Sequence, residues 1–212
     1  MSSKSRQNVL PVLIALAMTT PFFMGFARAE TAASDPAAHR IEMFYAALVE
    51  TMKQGPQLGI DGRYKKLKPA IEASFNLPVM TKFVVGPSWA AIATADQKLL
   101  IDAFERMTIA SYARNFASFG GEKFTVDPAS QVRGRDHIVR STLEPTDHPP
   151  VPLFYRMREA TGAWKIIDVY LNGTISEVGL RRSEFSMTVK TGGADALIKK
   201  INEVSDRLMA PS

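Results

Sequence analysis

The segment Trp164 to Leu171, WKIIDVYL, reads as a β-strand with no polar face. Side chains alternate along a strand, so Trp164, Ile166, Asp168 and Tyr170 point one way and Lys165, Ile167, Val169 and Leu171 the other. A strand that is apolar on both sides cannot lie on the surface of a two-layer domain with one face in water. It needs cover on both sides. Its single acid, Asp168, must be paired, hydrogen-bonded or neutral, because an unpaired buried charge costs several kcal/mol or more.

Thr161-Gly162 precedes this strand and reads as a tight hairpin turn to a second strand, Val151 to Glu159. A two-residue turn pairs Met157 with Ile166, Tyr155 with Asp168 and Leu153 with Tyr170. Leu153, Tyr155, Met157, Trp164, Ile166 and Tyr170 then share one large apolar face. Phe154, Ile167, Val169 and Leu171 form a smaller patch on the reverse, with Arg156, Arg158 and Lys165 nearer the turn. Phe124 to Val126 and His137 to Leu143 also alternate, giving a sheet of about four strands.

Helical spacing governs the chain before Gly120-Gly121. Asp35-Pro36 offers a side-chain cap and a preset φ, and Ile41, Phe44, Tyr45, Leu48 and Met52 follow as an apolar stripe. Gly55-Pro56 stops it, and Leu58 to Gly62 reads as a loop. Tyr64, Leu67, Ile71 and Phe75 form a second stripe, kinked or entered at Pro69. A short third helix carries Val79, Phe83 and Val84. Thr94-Ala95-Asp96-Gln97 matches a capping box before the longest helix, with Leu100, Phe104, Thr108, Tyr112 and Phe116 in one row. After the strands, Ile175 to Val189 and Ala194 to Leu208 read as two helices separated by Gly192-Gly193. Helices, then an antiparallel sheet, then helices make an α+β domain and exclude a doubly wound βαβ fold.

The N-terminus has a different character. Lys4 and Arg6 precede an apolar run from Val9 to Phe26, and Ala27-Arg28-Ala29 supplies small residues for cleavage. Residues 1–29 therefore read as a cleavable secretory signal, leaving 30–212 as one domain. The 26 basic and 21 acidic residues give a net charge of +5; losing Lys4, Arg6 and Arg28 with the signal leaves +2. That balance does not favour a nucleic-acid partner. The chain has no Cys, so neither disulfides nor thiolate metal sites are available.

Catalytic motifs are absent from the sequence. There is no G-x-S-x-G, P-loop or G-x-G-x-x-G, and Gly55, Gly59 and Gly62 are too widely spaced to cradle a phosphate. His39, His137 and His148 read as isolated residues, with no metal-ligand spacing. Asp168 has two readings. It is a general base in an apolar pocket, with Tyr155 across the hairpin as proton donor, or it is a structural acid bound to Arg181, Arg182 or the Asn172-Gly173 turn. The basic run Gly62 to Lys68 is a solvated helix face or a steering patch for anionic lipid or an acidic partner.

Two blocks carry a family resemblance. In the first, Val84, Val85, Gly86, Trp89, Thr94, Gln97, Phe104 and Tyr112 match an apolar-Gly-aromatic element followed by Ser/Thr-x-x-Gln and a helix with spaced Phe and Tyr. In the second, Trp164, Asp168, Val169, Gly173, Arg181 or Arg182, Phe185, Gly193, Leu197 and Ile198 match W-x-x-x-D-V and the residues beyond it. Together they resemble the MlaC-type periplasmic lipid-shuttle family, also called the toluene-tolerance or ABC-transporter auxiliary family. The MKQGPQLGIDGRY segment and the PSW triplet are similar to its hopanoid-associated branch, HpnM. Thr174-Ile175-Ser176 departs from the family, which has an apolar residue, Ser and another apolar residue there.

The resemblance implies a carrier without enzymatic activity and without a cofactor or metal, holding phospholipid or hopanoid-type lipid as cargo. It implies a twisted antiparallel sheet packed by helices around a lipid cavity. The implied partners are an inner-membrane transporter with an MCE-domain subunit and an outer-membrane lipid complex. On this reading Leu153, Tyr155, Met157, Ile166 and Tyr170 line the cavity from the sheet, with Phe83, Phe104, Tyr112, Phe116 and Ile175 opposite. Asp168, Arg181 and Arg182 serve structure. Two other classes stay open on the residues alone: an enzyme using Asp168, and an adaptor that binds only protein through apolar surface.

Overall fold

Asp35 caps the first helix as its sequence suggests. Its Oδ1 accepts from the Ala37 N–H at 2.8 Å, and Pro36 occupies the first turn. The computed structural model describes residues 35–211. The export signal read over residues 1–29 lies outside them. Helix α1 (Pro36–Lys53) buries Ile41, Phe44, Tyr45, Leu48 and Met52, the whole of the expected stripe. Helix α2 (Gly55–Ser74) includes the stretch read as a loop. There the chain leaves helical geometry only at Gly59, whose φ of 61° suits a residue without Cβ. Pro69 is accommodated inside this helix.

Helix α3 (Leu77–Val85) is capped by the Asn76 side chain and runs into a 3₁₀ turn, Gly86–Ala91. Helix α4 (Thr94–Asn115) corrects the capping-box reading. Ala93 is its N-cap residue, and Thr94 already lies in the helix. Gln97 turns outward, its Nε2 donating to the carbonyls of Trp89 and Ile92, both at 3.0 Å. The Gln thus ties the 3₁₀ turn to α4 and leaves the helix start to its backbone.

The sheet is antiparallel and has two short strands beyond those expected. It comprises β1 (Lys123–Val126), β2 (Gln131–Arg133), β3 (Asp136–Glu144), β4 (Val151–Ala160), β5 (Ala163–Leu171) and β6 (Ile175–Ser176). The order is β1-β3-β4-β5-β6, with β2 also pairing β3. Ile175, expected to open a helix, lies in β6 and is 44% exposed. Helix α5 (Glu177–Met209) follows and departs from helical geometry at Gly193, φ 67°, inside the Gly-Gly pair expected to separate two helices.

The hairpin register changes partway along. Near the turn, Met157 faces Ile166 as a two-residue loop requires. A bulge between Arg156 and Met157 leaves Ile167 as the extra residue on β5. Beyond it Arg156 faces Asp168, Tyr155 faces Val169, Phe154 faces Tyr170 and Leu153 faces Leu171. The inferred partners of Tyr155 and Leu153 are therefore corrected by one residue. That slip turns every later side chain of β5 over. Val169 and Leu171 join the helix-covered face; Asp168 and Tyr170 leave it.

Helix α1 lies along β1, β3 and β5, while α2, α3 and α5 reach β5. Helix α4 packs on α2, α3 and α5. The core contains Leu67 and Ile71 of α2, Leu100 and Phe104 of α4, Phe185 and Leu197 of α5, and Tyr155, Met157 and Ile166 of the sheet.

Candidate functional site

Between α4 and the sheet lies a cavity of about 410 Å³. Phe104, Met107, Tyr112 and Phe116 of the α4 segment form one wall, and Leu153, Tyr155, Val169 and Leu171 form the opposite wall. Phe75, Met80 and Val178 close the sides. Phe75 is set there by the junction of α2 with the sheet, where the Asn76 N–H donates to the Ile166 carbonyl at 2.8 Å. Tyr112 packs edge-on to Phe44 and Phe75, with ring centres 5.4 and 5.6 Å away, and stacks on Phe116 at 5.6 Å. These contacts hold the aromatic wall in place from behind.

Polarity is confined to parts of this lining. Behind Tyr155, a buried cluster joins three hydroxyls: Tyr45 lies 2.7 Å from Ser141 and 3.0 Å from Tyr155. Ser141 Oγ also donates to the Leu153 carbonyl. Burial pushes the Tyr45 hydroxyl up to about 12, with the bonds to Ser141 and Tyr155 opposing it. Burial likewise holds Tyr112 and Tyr155 well above the ordinary tyrosine value. These phenols stay neutral, so the inner wall presents no charge. Thr108, Ser111 and Asn115 of α4, with Glu177 and Arg181 of α5, supply the remaining polar lining. Asn115 is exposed and the other four are half-buried, which places them at the opening.

Five expected lining residues meet here: Phe104, Tyr112, Phe116, Leu153 and Tyr155. The other five are elsewhere. Met157 and Ile166 are fully buried in the core. Tyr170 is carried by the bulge to the reverse face, where it borders a shallow groove of about 230 Å³ with Phe154, Arg140 and Arg133. Phe83 lies beneath the Arg158 guanidinium, 5.8 Å from the ring centre. Ile175 is exposed in β6. The sequence reading missed Val169 and Leu171 because nothing in it marked the bulge. It missed Met107, Ser111 and Asn115 although they sit four residues apart beside the row that was noticed.

Asp168 serves structure, through partners other than the arginines or the Asn172-Gly173 turn that were expected. Its Oδ1 accepts from the N–H groups of Val169 (2.8 Å) and Val178 (3.1 Å), and its Oδ2 from Ser176 Oγ (2.6 Å). It fastens the end of β5 to the start of α5 without an arginine. The bulge puts it on the opposite face from Tyr155, so the acid and phenol of the enzymatic reading do not meet. Arg181 pairs with Glu184 at 2.8 Å and borders the cavity, while Arg182 lies against Gly86. The buried arginine-bound acid is Asp136, held by Arg156 (2.7 Å) and Arg158 (2.9 Å). The hydrogen bond from Arg158, aided by that from Arg156 and opposed by burial, keeps its carboxyl below the usual range.

Other candidates resolve into structure. His137 is not isolated: its Nδ1 lies 2.6 Å from Ser130 Oγ, which is 2.5 Å from Asp35 Oδ2. The serine bridges acid and imidazole, so the three tie the start of α1 to the β2–β3 region. They do not form the acid-imidazole-hydroxyl order of a nucleophile relay. The basic run is largely spent within the fold. Arg63 is buried and donates to the carbonyls of Ala113 (2.8 Å) and Gly55 (2.9 Å), Lys66 faces Glu50, and Lys68 pairs with Glu72 and Glu105. Among the described residues no three His, Cys, Asp or Glu side chains converge as a metal site would require.

Comparison with known proteins supplies a family context. The family model described as "MlaC protein" matches residues 43–203. The toluene tolerance protein ttg2D of Pseudomonas putida is 24% identical over 147 residues, 69% of this chain and 66% of that protein. The match thus spans just under two-thirds of that relative's length. A phospholipid-binding protein from Ralstonia solanacearum, solved in complex with a phospholipid, superposes with a TM-score of 0.73. It is 20% identical, and the match covers 83% of this chain and all of that one. This likeness establishes a shared fold.

Proposed function

The chain belongs to the MlaC protein family, and from that premise we propose that it is a lipid carrier whose cargo places acyl or similar hydrocarbon in the cavity between α4 and the sheet. The carrying observation is the hollow itself, about 410 Å³ behind an opening where the polar lining gathers. Its size lies within the range of about 300–1,000 Å³ typical of ligand sites. The phospholipid in the Ralstonia solanacearum structure supports the choice of cargo. An adaptor that binds only protein has no need of such a space.

The physical task is transfer through water. Exposing a methylene costs about 0.8 kcal/mol, so a chain of about 16 carbons costs about 12 kcal/mol. An apolar container removes most of that barrier. Met80 and Met107 suit cargo of variable shape, since methionine is flexible and polarizable. The proposed cargo is a phospholipid or, on the HpnM-like sequence features, a hopanoid-type lipid. The proposed setting is the periplasm, with residues 1–29 as export signal. The proposed donors and acceptors are an inner-membrane transporter bearing an MCE-domain subunit and an outer-membrane lipid complex.

Purification without detergent, followed by lipid extraction and native mass spectrometry, tests this reading. Bound lipid at up to one molecule per chain is expected. A protein that is repeatedly empty and takes up no lipid from vesicles would overturn it.

A further inference from the structure

The one base at the cavity opening is shared between two acids. Glu177 and Arg181 are the charged side chains among the residues that border the cavity. They sit one turn apart on α5, a spacing that brings side chains together. Arg181 is already committed to Glu184 at 2.8 Å. Asp168 lies directly beneath the same turn, bonded to the Val178 N–H. Asp168 is satisfied by its own three hydrogen bonds, so at the opening Arg181 serves two carboxylates, Glu177 and Glu184. Glu177 is half-buried, and burial raises its pKa; Arg181 opposes the rise, and Asp168 adds to it more weakly. Glu177 thus shares its neighbouring cation with Glu184 where a ligand's polar end would emerge.

We infer that the opening selects cargo whose head group carries a protonated amine beside its phosphate, Glu177 holding the amine and Arg181 the phosphate. The inference rests on the carrier reading and narrows it to zwitterionic lipids. A head group with phosphate as its only charge would bring a further negative charge to a site where two carboxylates already share one guanidinium. A head group that adds an ammonium supplies Glu177 with a cation of its own and leaves Arg181 to share its guanidinium between Glu184 and phosphate. Thr108, Ser111 and Asn115 across the opening offer neutral hydrogen-bonding groups to the rest of the head group. The acid's place in the first turn of α5 favours its ionised form through the helix dipole, which keeps it available for a cation.

The detergent-free protein is incubated with vesicles of equal phosphatidylethanolamine and phosphatidylglycerol of matched chains, and the bound lipid is extracted and quantified. Enrichment of the amine lipid by about fivefold is expected, the effect of one half-exposed charge pair. Glu177→Gln removes the enrichment, read as the ratio of the two lipids in the bound fraction, and Glu177→Lys reverses it. Should either variant fold poorly, the native protein decides the matter with phosphatidylethanolamine acetylated on its nitrogen, which loses its advantage. An unselective native protein, or a preference untouched by both Glu177→Gln and acetylation, overturns the inference and leaves the carrier reading standing. If no lipid of either kind binds, the carrier reading falls and the inference falls with it.

Discussion

Asp168 joins two elements through three accepted hydrogen bonds, and two of its donors lie at the β6–α5 junction. Hydrogen bonds to a charged group contribute about 1.5–3 kcal/mol each, and removing the acceptor leaves the Val178 N–H unpaired. Asp168→Ala should lower stability in urea denaturation by about 2–4 kcal/mol. Asp168→Asn, which keeps an acceptor oxygen, should cost less. Unchanged stability of both variants would contradict the fastening role. Asp136 carries a separate expectation for acid. Its folded-state pKa is depressed below the unfolded value of about 3.9, so its ionised form adds stability above that pH. The contribution fades as pH falls through the folded value. Asp136→Asn should therefore be less stable at neutral pH and lose less stability between about pH 4 and pH 2 than the parent, read from melts across that range.

At the scale of elements, the bulge in the β4–β5 hairpin decides which side chains see the cavity. The absence of Cys allows a direct test by single-cysteine variants labelled with a maleimide. Leu171→Cys should be protected when lipid is bound, whereas Tyr170→Cys should react equally with and without it. An unbroken register would reverse that order. The α2–α4 joint makes a second prediction. Arg63 is buried at 7% exposure and serves carbonyls of both helices, so among the described residues its charge is met by carbonyl dipoles. Arg63→Ala should destabilise by about 2–4 kcal/mol, measured by chemical denaturation, and Arg63→Lys should recover only part of the loss because a single ammonium nitrogen cannot reach both carbonyls as the two guanidinium nitrogens do. The stripes of α1, α2 and α4 were legible because each repeats every three to four residues. The 3₁₀ turn and the role of Gln97 were not, because the capping-box pattern is satisfied equally by a glutamine that reaches outward.

At the scale of the whole molecule, cargo and stability are linked. A ligand bound only to the folded state raises the melting temperature by mass action. Protein stripped of lipid should melt lower than protein as purified, and vesicles should restore the difference. Val178→Trp fills the hollow from its side and should reduce extracted lipid while the melt remains cooperative, as scanning calorimetry would show. A full complement of lipid in that variant would place the cargo elsewhere.

The sequence by itself determined the fold class, the apolar stripes, the hairpin and the aromatic row on α4, because periodicity and turn chemistry are local properties that survive in one dimension. It also located half of the expected cavity wall. The tertiary structure alone decided the rest. A single extra residue at Ile167 changes no local pattern, yet it exchanges Tyr170 for Leu171 at the cavity and separates Asp168 from Tyr155. The meeting of Glu177 and Arg181 with the α4 wall depends on how α5 returns across the sheet. Such encounters arise from packing between distant segments, and no spacing along the chain records them.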